Sequence, residues 1–167
     1  MGAGKTTRAH SFEVNGAFVI DADREAKFLM ARDSGLRREL RDSFGAEIIN
    51  DSNLSFEALG RLAFESVESL RTLNNIVHPP LIEHIETLLF CGDKPVSVLD
   101  AALIPLWNIE SWFDRRIWVD APFKVRLERL KFKRGDIDER ELARRMRLQE
   151  EIMPVPNLEN WTEIVRT

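Results

Sequence analysis

Several features that direct protein function are scarce or missing in this chain of 167 residues. It has one cysteine, Cys91, so neither an internal disulfide nor a pair of cysteine metal ligands can form within it. No apolar run reaches the roughly 20 residues of a membrane-spanning helix. The net charge of −4 argues against electrostatic binding to nucleic acid or to an anionic membrane. We therefore expect a reducing, cytoplasmic location, and the composition leaves the oligomeric state open.

The remaining composition is that of an ordinary soluble protein, with 44% hydrophobic and 31% charged residues. A chain of this length suits one domain with a sizeable core. Cys91 ends an apolar stretch, and we interpret it as a packing residue rather than a nucleophile. We expect a single domain over residues 1–167.

The motif with the clearest chemical meaning stands at the very start of the chain. Gly4, Lys5 and Thr6 match the second half of the phosphate-binding loop G-x-x-x-x-G-K-[ST]. Backbone N–H groups of such a loop surround a phosphate, the lysine meets the β- and γ-phosphates, and the hydroxyl holds Mg²⁺. The first glycine of the motif and its preceding strand would lie before Met1, so we expect the natural chain to extend upstream. The residues predicted to bind nucleotide here are Gly2, Ala3, Gly4, Lys5, Thr6 and Thr7.

Four short apolar segments have the character of buried strands, and helical sequence separates each from the next. Strands that alternate with helices indicate crossover connections and a parallel sheet. Ligands of such sheets bind at the carboxyl ends of the strands, where Asp21, Asp100 and Asp120 stand. The predicted strands cover residues 17–20, 95–100, 116–122 and 162–165.

The segment from about residue 24 to residue 89 is helical and too long for a simple crossover. Ser55 and Ser66 are predicted to cap two of its helices. Pro79-Pro80 is predicted to break the second of these helices. The apolar stripes of the segment indicate core packing, so we expect a small helical lobe beside the sheet.

A second helical region follows the third strand. It is predicted to contain a helix over residues 124–133, a turn over residues 134–136 and a helix that ends near Glu151. Asp138 and Glu141 have the spacing of a capping box at the start of the second helix. The arginines of that helix form either a solvated charged face or a closing segment that compensates charge near the γ-phosphate.

Three aspartates are candidates for the chemistry of phosphoryl transfer. Asp23 is the candidate general base for the hydroxyl of an acceptor. Asp21 shares its side of the predicted strand, and it is the alternative base or a residue that positions the metal. Asp100 is the candidate metal-holding residue beside Thr6. All three also have a structural interpretation, because aspartates commonly cap helices.

The three histidines carry less information than the aspartates. His78 precedes Pro79, and from chemistry alone a single histidine is more often packed or exposed than a ligand. His10 and His84 have no constellation of reactive residues around them in the sequence.

Several pieces of the chain, taken in order, carry a family resemblance. They are the loop at residues 2–7, the D-A-D segment at 19–23, F-G at 44–45 with Leu54 and Leu59, L-N-x-I-x-H-P at 73–79, the strand and helix at 119–130, and the arginine-rich stretches at 134–135 and 145–149. In this order they resemble the dephospho-coenzyme A kinase family over nearly the whole chain. The D-A-D and H-P pieces are much more specific than the loop.

The resemblance implies that ATP phosphorylates the ribose 3′-hydroxyl of dephospho-coenzyme A, the last step of coenzyme A synthesis. It implies that Asp23 is the catalytic base beside Lys5, and that Arg134 and Arg145 contact ATP. Lys27 stands where the family usually has arginine. The residues implied for the acceptor site are Asp21, Lys27, Asn74 and His78.

Together these observations predict an α/β fold of the P-loop NTPase type, with a parallel sheet flanked by helices. The predicted core covers residues 1–32 and 95–167, the helical acceptor lobe residues 33–94, and a lid residues 128–147. Two other functions stay open: a kinase of another small hydroxyl acceptor, such as a nucleoside or a sugar, and a nucleotide-binding protein without turnover. The D-A-D and H-P pieces argue against the first, and intact Lys5, Thr6 and Asp23 argue against the second.

Overall fold

The computed structural model describes residues 1–51, 53–91, 94–134, 138–153, 157, 159 and 161–167. The helices are α1 (Lys5–Val14), α2 (Ala22–Arg32), α3 (Ser34–Phe44), α4 (Phe56–Ala63), α5 (Val67–Phe90), α6 (Ile104–Trp107), α7 (Phe123–Arg134) and α8 (Glu139–Ile152). The strands are β1 (Phe18–Asp21), β2 (Ile49–Asn50), β3 (Asn53–Leu54), β4 (Ser97–Asp100), β5 (Ile117–Asp120) and β6 (Glu163–Arg166). By compactness the chain divides into a terminal unit, residues 1–19 and 100–167, and a central unit, residues 20–99.

The strands pair in three short sheets. β5 and β6 are parallel, with Ile117 opposite Glu163 and Asp120 opposite Arg166. β1 pairs with β4, and β2 forms an antiparallel hairpin with β3. All four strands predicted from the sequence are present within two residues of their expected bounds, and the parallel arrangement is confirmed for β5 and β6. The hairpin was not predicted, since two-residue strands leave almost no periodic signal.

Short polar side chains begin the helices of the central unit. The carboxylate of Asp33 accepts the N–H groups of Gly35 and Leu36 at the start of α3. Ser55 and Ser66 cap α4 and α5 by accepting one backbone N–H each, which confirms both predicted caps. The helices pack around a core of mostly aliphatic side chains, each worth about 1.5–3 kcal/mol when fully buried. The buried members of this core are Met30, Leu36, Leu40, Ile48, Leu54, Leu59, Ile76 and Val77.

The prediction that Pro79-Pro80 breaks a helix is wrong. Helix α5 continues through both prolines and ends only at Phe90. Each proline removes one backbone donor from the helix, and that loss is normally enough to end or kink it. Here the residues beyond the prolines have a strong reason to stay helical, because Leu81 is 3% exposed and Ile85 is 0% exposed. Burial of these side chains offsets the missing hydrogen bonds.

In the terminal unit, helices α7 and α8 pack through Leu130, Leu142 and Met146. Asp138 caps α8 by accepting the N–H of Arg140, as predicted for the start of this helix. The predicted turn falls largely on residues 135 and 136, which lie outside the described residues. The expectation that Cys91 packs in the core is wrong, since its side chain is exposed at the end of α5. In the part of the chain described here, no helix is both long and apolar enough to cross a membrane.

The uninterrupted course of α5 leads to a stability prediction. Pro79→Ala restores a backbone donor inside α5, so we expect the free energy of unfolding to rise by about 1–3 kcal/mol. Urea denaturation measures the change. Glu86→Ala, an exposed substitution on the same helix without a proline, is the control and should change stability by less than about 0.5 kcal/mol. A destabilised Pro79→Ala variant would contradict this interpretation of the helix.

Candidate functional site

The loop before α1 has the backbone of a phosphate-binding turn. Gly2 has φ 74° and Gly4 has φ 97°, values that L side chains rarely adopt. A Cβ atom on Gly2 would lie 2.7 Å from the backbone oxygen of Arg126 on α7, so only glycine fits there. Gly4 begins α1 without a side-chain cap. The first N–H groups of α1 are therefore available to an anion, the arrangement by which helix N-termini bind phosphate.

Lys5, Thr6 and Asp100 converge in the terminal unit, where Thr6 and Asp100 are the two residues predicted to hold the metal. The Nζ atom of Lys5 lies 3.1 Å from one carboxylate oxygen of Asp100. The Thr6 hydroxyl donates to the other oxygen at 2.8 Å. The Asp100 side chain is 6% exposed, whereas that of Lys5 is 35% exposed. A carboxylate at this depth needs both the charge and the hydrogen bond, so Asp100 ties its own strand end to the first turn of α1.

The oxygen donors at this point suit a hard divalent cation. Mg²⁺ favours oxygen ligands and is usually held by one or two protein groups together with substrate phosphates. The Thr6 hydroxyl and the Asp100 carboxylate are two such groups in contact with each other. Among the described residues no cluster of three or more His, Cys, Asp or Glu side chains could form a dedicated metal cage. Two oxygen donors fit a cation of this kind that takes its remaining ligands from water or from a bound phosphate.

In the central unit, Asp21 and Asp23 do not share the face of a strand, so that part of the prediction is wrong. β1 ends at Asp21, and Asp23 lies in the first turn of α2. Asp21 is the N-cap of α2, and its Oδ1 atom accepts the N–H groups of Asp23 and Arg24 at 2.9 and 3.1 Å. The Asp23 side chain is exposed and accepts no hydrogen bond from any described residue. The capping interpretation thus accounts for Asp21, and Asp23 remains the carboxylate available for chemistry.

Asn74 and His78 are one turn apart on α5 and therefore share a face of that helix. Lys27 lies one turn after Asp23 on α2 and is exposed. Burial lowers the pKa of His78 from 6.5 to about 4, so its imidazole is neutral at physiological pH.

The expectation that His84 lacks a constellation is wrong. Its Nε2 atom lies 3.1 Å from Oε2 of Glu25, and its ring stacks on Phe28 with centroids 6.1 Å apart. The contact joins α5 to α2 across 59 positions of sequence. No local pattern could reveal a pair at that separation.

Of the two arginines predicted to contact ATP, Arg145 is paired with an acidic side chain. Arg145 donates to Glu141 at 2.6 Å, and Arg144 forms two hydrogen bonds with the same carboxylate. These bonds, the one from Arg144 first, lower the pKa of Glu141 to about 2. Glu141 is therefore the counter-ion of two arginines and does not return to the helix N-terminus as a capping box requires. The side chain of Arg134 lies outside the described part of the structure.

Sequence reasoning missed two residues that contact the loop. Arg129 of α7 donates to the hydroxyl of Thr167 at 2.9 Å, and that hydroxyl donates to the carbonyl oxygen of Ala3 at 3.0 Å. Thr167 is 164 positions away from Ala3, so no spacing rule connects the two. The only available signal was that Arg129 falls within one of the segments that carry the family resemblance.

Comparison with protein families and curated proteins gives a consistent result. The family model described as dephospho-CoA kinase matches residues 1–154 of the chain. A dephospho-CoA kinase of Corynebacterium jeikeium is 32% identical over 152 residues, which cover 89% of this chain and 78% of the relative. A dephospho-CoA kinase of Aquifex aeolicus is 29% identical over 167 residues, which cover 99% of this chain and 83% of the relative.

Solved structures share the fold. The crystal structure of TT1252 from Thermus thermophilus matches with a TM-score of 0.73 at 24% identity, over 100% of this chain and 84% of that one. The dephospho-CoA kinase from Campylobacter jejuni matches with a TM-score of 0.57 at 19% identity, over the same shares of each chain. The predicted α/β fold of the P-loop NTPase type is thereby confirmed.

The lowered pKa of the half-buried His78 predicts how stability depends on pH. Because the unfolded chain takes up this proton near pH 6.5 and the folded chain only near pH 4, the unfolded state binds more protons between these values. The free energy of unfolding should therefore fall as the pH decreases from about 6.5 towards 4. His78→Asn should make that decrease smaller, whereas Asn75→Ala, at an exposed position of the same helix, should keep it. Urea titrations at pH 7 and pH 5 measure the free energy of unfolding at each pH. An equal decrease in this free energy for His78→Asn and wild type would contradict the prediction.

Proposed function

The chain belongs to the dephospho-CoA kinase family, and from this premise we propose that it transfers the γ-phosphoryl group of ATP to the ribose 3′-hydroxyl of dephospho-coenzyme A. The contact that carries this proposal is the convergence of Lys5, Thr6 and Asp100 at the start of α1. It unites a phosphate-binding cation, a metal-binding hydroxyl and an acidic strand end in one place, which are recurring parts of P-loop phosphoryl transfer. Such enzymes act almost entirely by positioning and by charge stabilisation.

The nucleotide is assigned to the loop of residues 2–7. The N–H groups at the start of α1 bind the phosphates, and Lys5 leaves Asp100 to meet the β- and γ-phosphates. Because Lys5 is 35% exposed while Asp100 is 6% exposed, the lysine is the partner with room to move. Arg145 is proposed as a further ATP contact, for which it would exchange Glu141 for phosphate oxygens. Arg134 keeps the same proposed role from the family resemblance.

The metal is assigned to Thr6 and Asp100, and Mg²⁺ is the ion that their oxygen atoms fit best. When bound, it neutralises phosphate charge that develops during transfer. The buried carboxylate of Asp100 would then exchange its ammonium partner for the metal, so that it is never left unpaired.

The acceptor is assigned to residues of the central unit. Asp23 takes the proton of the 3′-hydroxyl, since the carboxylate of Asp21 is already bound to two N–H groups at the start of α2. Asp21 supports the acceptor site by fixing the first turn of α2. Lys27, Asn74 and His78 are proposed to contact the acceptor, with His78 as a neutral hydrogen-bonding group. We place this activity in the cytoplasm, with ATP and dephospho-coenzyme A as the partners and without nucleic acid or membrane.

The identity of the acceptor is directly testable. With ATP and Mg²⁺, dephospho-coenzyme A should raise ADP release well above the rate in its absence, while adenosine and simple sugars should not. A coupled ADP-release assay measures the rates, and phosphorus NMR of the product locates the new phosphate on the 3′-oxygen. Equal or faster turnover of a nucleoside would instead assign the chain to another small hydroxyl acceptor. ATP binding without turnover of any acceptor would favour the non-catalytic alternative.

The base is tested with Asp23→Asn, which removes the charge and keeps the shape. We expect kcat to fall about 10²–10⁴-fold, the usual effect of losing a general base. ATP affinity should stay within a few-fold, because Asp23 lies outside the proposed phosphate loop. Asp33→Asn is the matched control, as it alters another carboxylate at a helix start and asparagine caps equally well. It should keep wild-type turnover.

Lys5→Ala should differ from Asp23→Asn in the kinetic constant that it changes. It removes a charge that meets the phosphates in the ground state and the transition state alike, so ATP affinity and turnover should both fall. Calorimetry with ATP beside steady-state rates separates the two variants. If Asp23→Asn turns over near the wild-type rate, Asp23 is not the base, and Asp21 becomes the next residue to test.

A further inference from the structure

Thr167 links helix α7 to the loop of residues 2–7 through a single hydroxyl. Its Oγ1 atom accepts a hydrogen bond from Nη1 of Arg129 at 2.9 Å and donates one to the carbonyl oxygen of Ala3 at 3.0 Å. The guanidinium of Arg129 also approaches the Ala3 oxygen directly, at 3.5 Å. The backbone N–H of Thr167 donates to Asp120 at 2.9 Å, so the end of β5 fixes the residue that carries the hydroxyl.

The contact with the Ala3 oxygen also determines the direction of the Gly4 N–H, because both groups belong to the same peptide bond. No described peptide bond is cis, so the Ala3 carbonyl and the Gly4 N–H point in opposite directions across a single plane. Holding the Ala3 oxygen on the side of Thr167 therefore directs the Gly4 N–H away from Thr167. We propose that Thr167, aligned by Arg129, is a positioning residue that orients the Ala3–Gly4 peptide so that its N–H faces the bound phosphate of ATP. The inference rests on the proposed function, which assigns this loop to ATP.

The loop needs such a constraint because of its glycines. Gly2 and Gly4 both adopt positive φ, and glycine populates many other conformations at little cost. If the Ala3–Gly4 peptide turned over, a carbonyl oxygen would face the phosphate in place of an N–H, and the two would repel. Donors that are fixed before the ligand binds need no reorganisation when it arrives. Pinning the Ala3 carbonyl removes the unfavourable orientation in the nucleotide-free protein.

The start of β6 is attached to α1 by a separate contact. Arg8, which lies one turn after Gly4, pairs with Glu163 at 3.2 Å, and Glu163 also pairs with Arg115 at 3.3 Å. The side chains of Arg8 and Glu163 are 43% and 34% exposed. Because solvent screens such a pair, it adds little stability. The pair connects α1 to β6, whereas the Thr167 hydroxyl contacts the loop of residues 2–7 directly. The loop orientation should therefore depend on Thr167 and not on Glu163.

The test compares three threonine variants of the whole chain. Thr167→Val keeps the shape and removes the hydroxyl, and Thr167→Ser restores it. Thr162→Val is the matched control: the Thr162 hydroxyl accepts the Arg116 N–H at 3.0 Å before the same strand, away from the loop. Calorimetric titration with ATP and Mg²⁺, steady-state kinetics and thermal melting are measured for all three.

Thr167→Val should raise the Kd and the KM for ATP by about three- to tenfold, the effect of one lost hydrogen bond. The KM for dephospho-coenzyme A should change by less than about twofold, a split that general destabilisation would not produce. Thr167→Ser should return the ATP constants to near wild type, and Thr162→Val should lower the melting temperature at most. Wild-type ATP affinity in Thr167→Val, or an equal loss in Thr162→Val, would overturn the inference.

Amide hydrogen exchange without nucleotide separates this inference from the proposed function. Faster exchange at Gly4 and Lys5 in Thr167→Val alone supports the positioning role, whatever acceptor the enzyme uses. Equal exchange in Thr167→Val and wild type overturns it. Failure of wild-type protein to phosphorylate dephospho-coenzyme A would contradict the proposed acceptor. The exchange rates of Thr167→Val and wild type would still test the positioning role of Thr167.

Discussion

The candidate site depends on the pairing of one inaccessible carboxylate, that of Asp100, with the first turn of α1. A charged group that is only 6% exposed must be compensated, and Lys5 and Thr6 do so together. Since these two residues are consecutive in α1, the pairing fixes both the position and the rotation of the helix start. The same turn presents the N–H groups that we propose to bind phosphate. One electrostatic requirement thus positions the cation, the hydroxyl and the anion-binding helix end at once.

At the start of α2, the carboxylate of Asp21 caps the helix and that of Asp23 is proposed to take part in catalysis. A helix start leaves N–H groups unsatisfied, and Asp21 accepts two of them. Its Oδ1 atom accepts both N–H groups, and the first turn that follows is held in place. Asp23 lies in that turn with an exposed side chain. The cap determines where the second carboxylate stands, so the D-A-D segment combines a structural and a proposed chemical residue in three positions.

Helix α5 shows that packing can outweigh a strong local signal. Two adjacent prolines remove two donors, yet the helix continues because Leu81 and Ile85 are buried beyond them. The same helix carries Asn74 and His78 before the prolines and His84 after them. A break at Pro79 would have separated the two groups of residues. Their common helix keeps the His84–Glu25 contact with α2 in a fixed relation to the proposed acceptor residues.

The sequence by itself determined the features that are local. The Gly4-Lys5-Thr6 motif depends on neighbouring residues, and so do the serine caps at residues 55 and 66, the acidic residues at strand ends and the four strands expected between helices. The structure contains these caps, strand ends and four strands as predicted. Only the tertiary structure decided the contacts between distant residues. Asp100 meets Lys5, Thr167 meets Ala3 and Glu25 meets His84 because elements far apart in the chain pack together. It also decided that α5 continues through its prolines and that Asp23 belongs to a helix. Burial and the satisfaction of backbone donors are properties of the whole fold, so short-range patterns could not supply them.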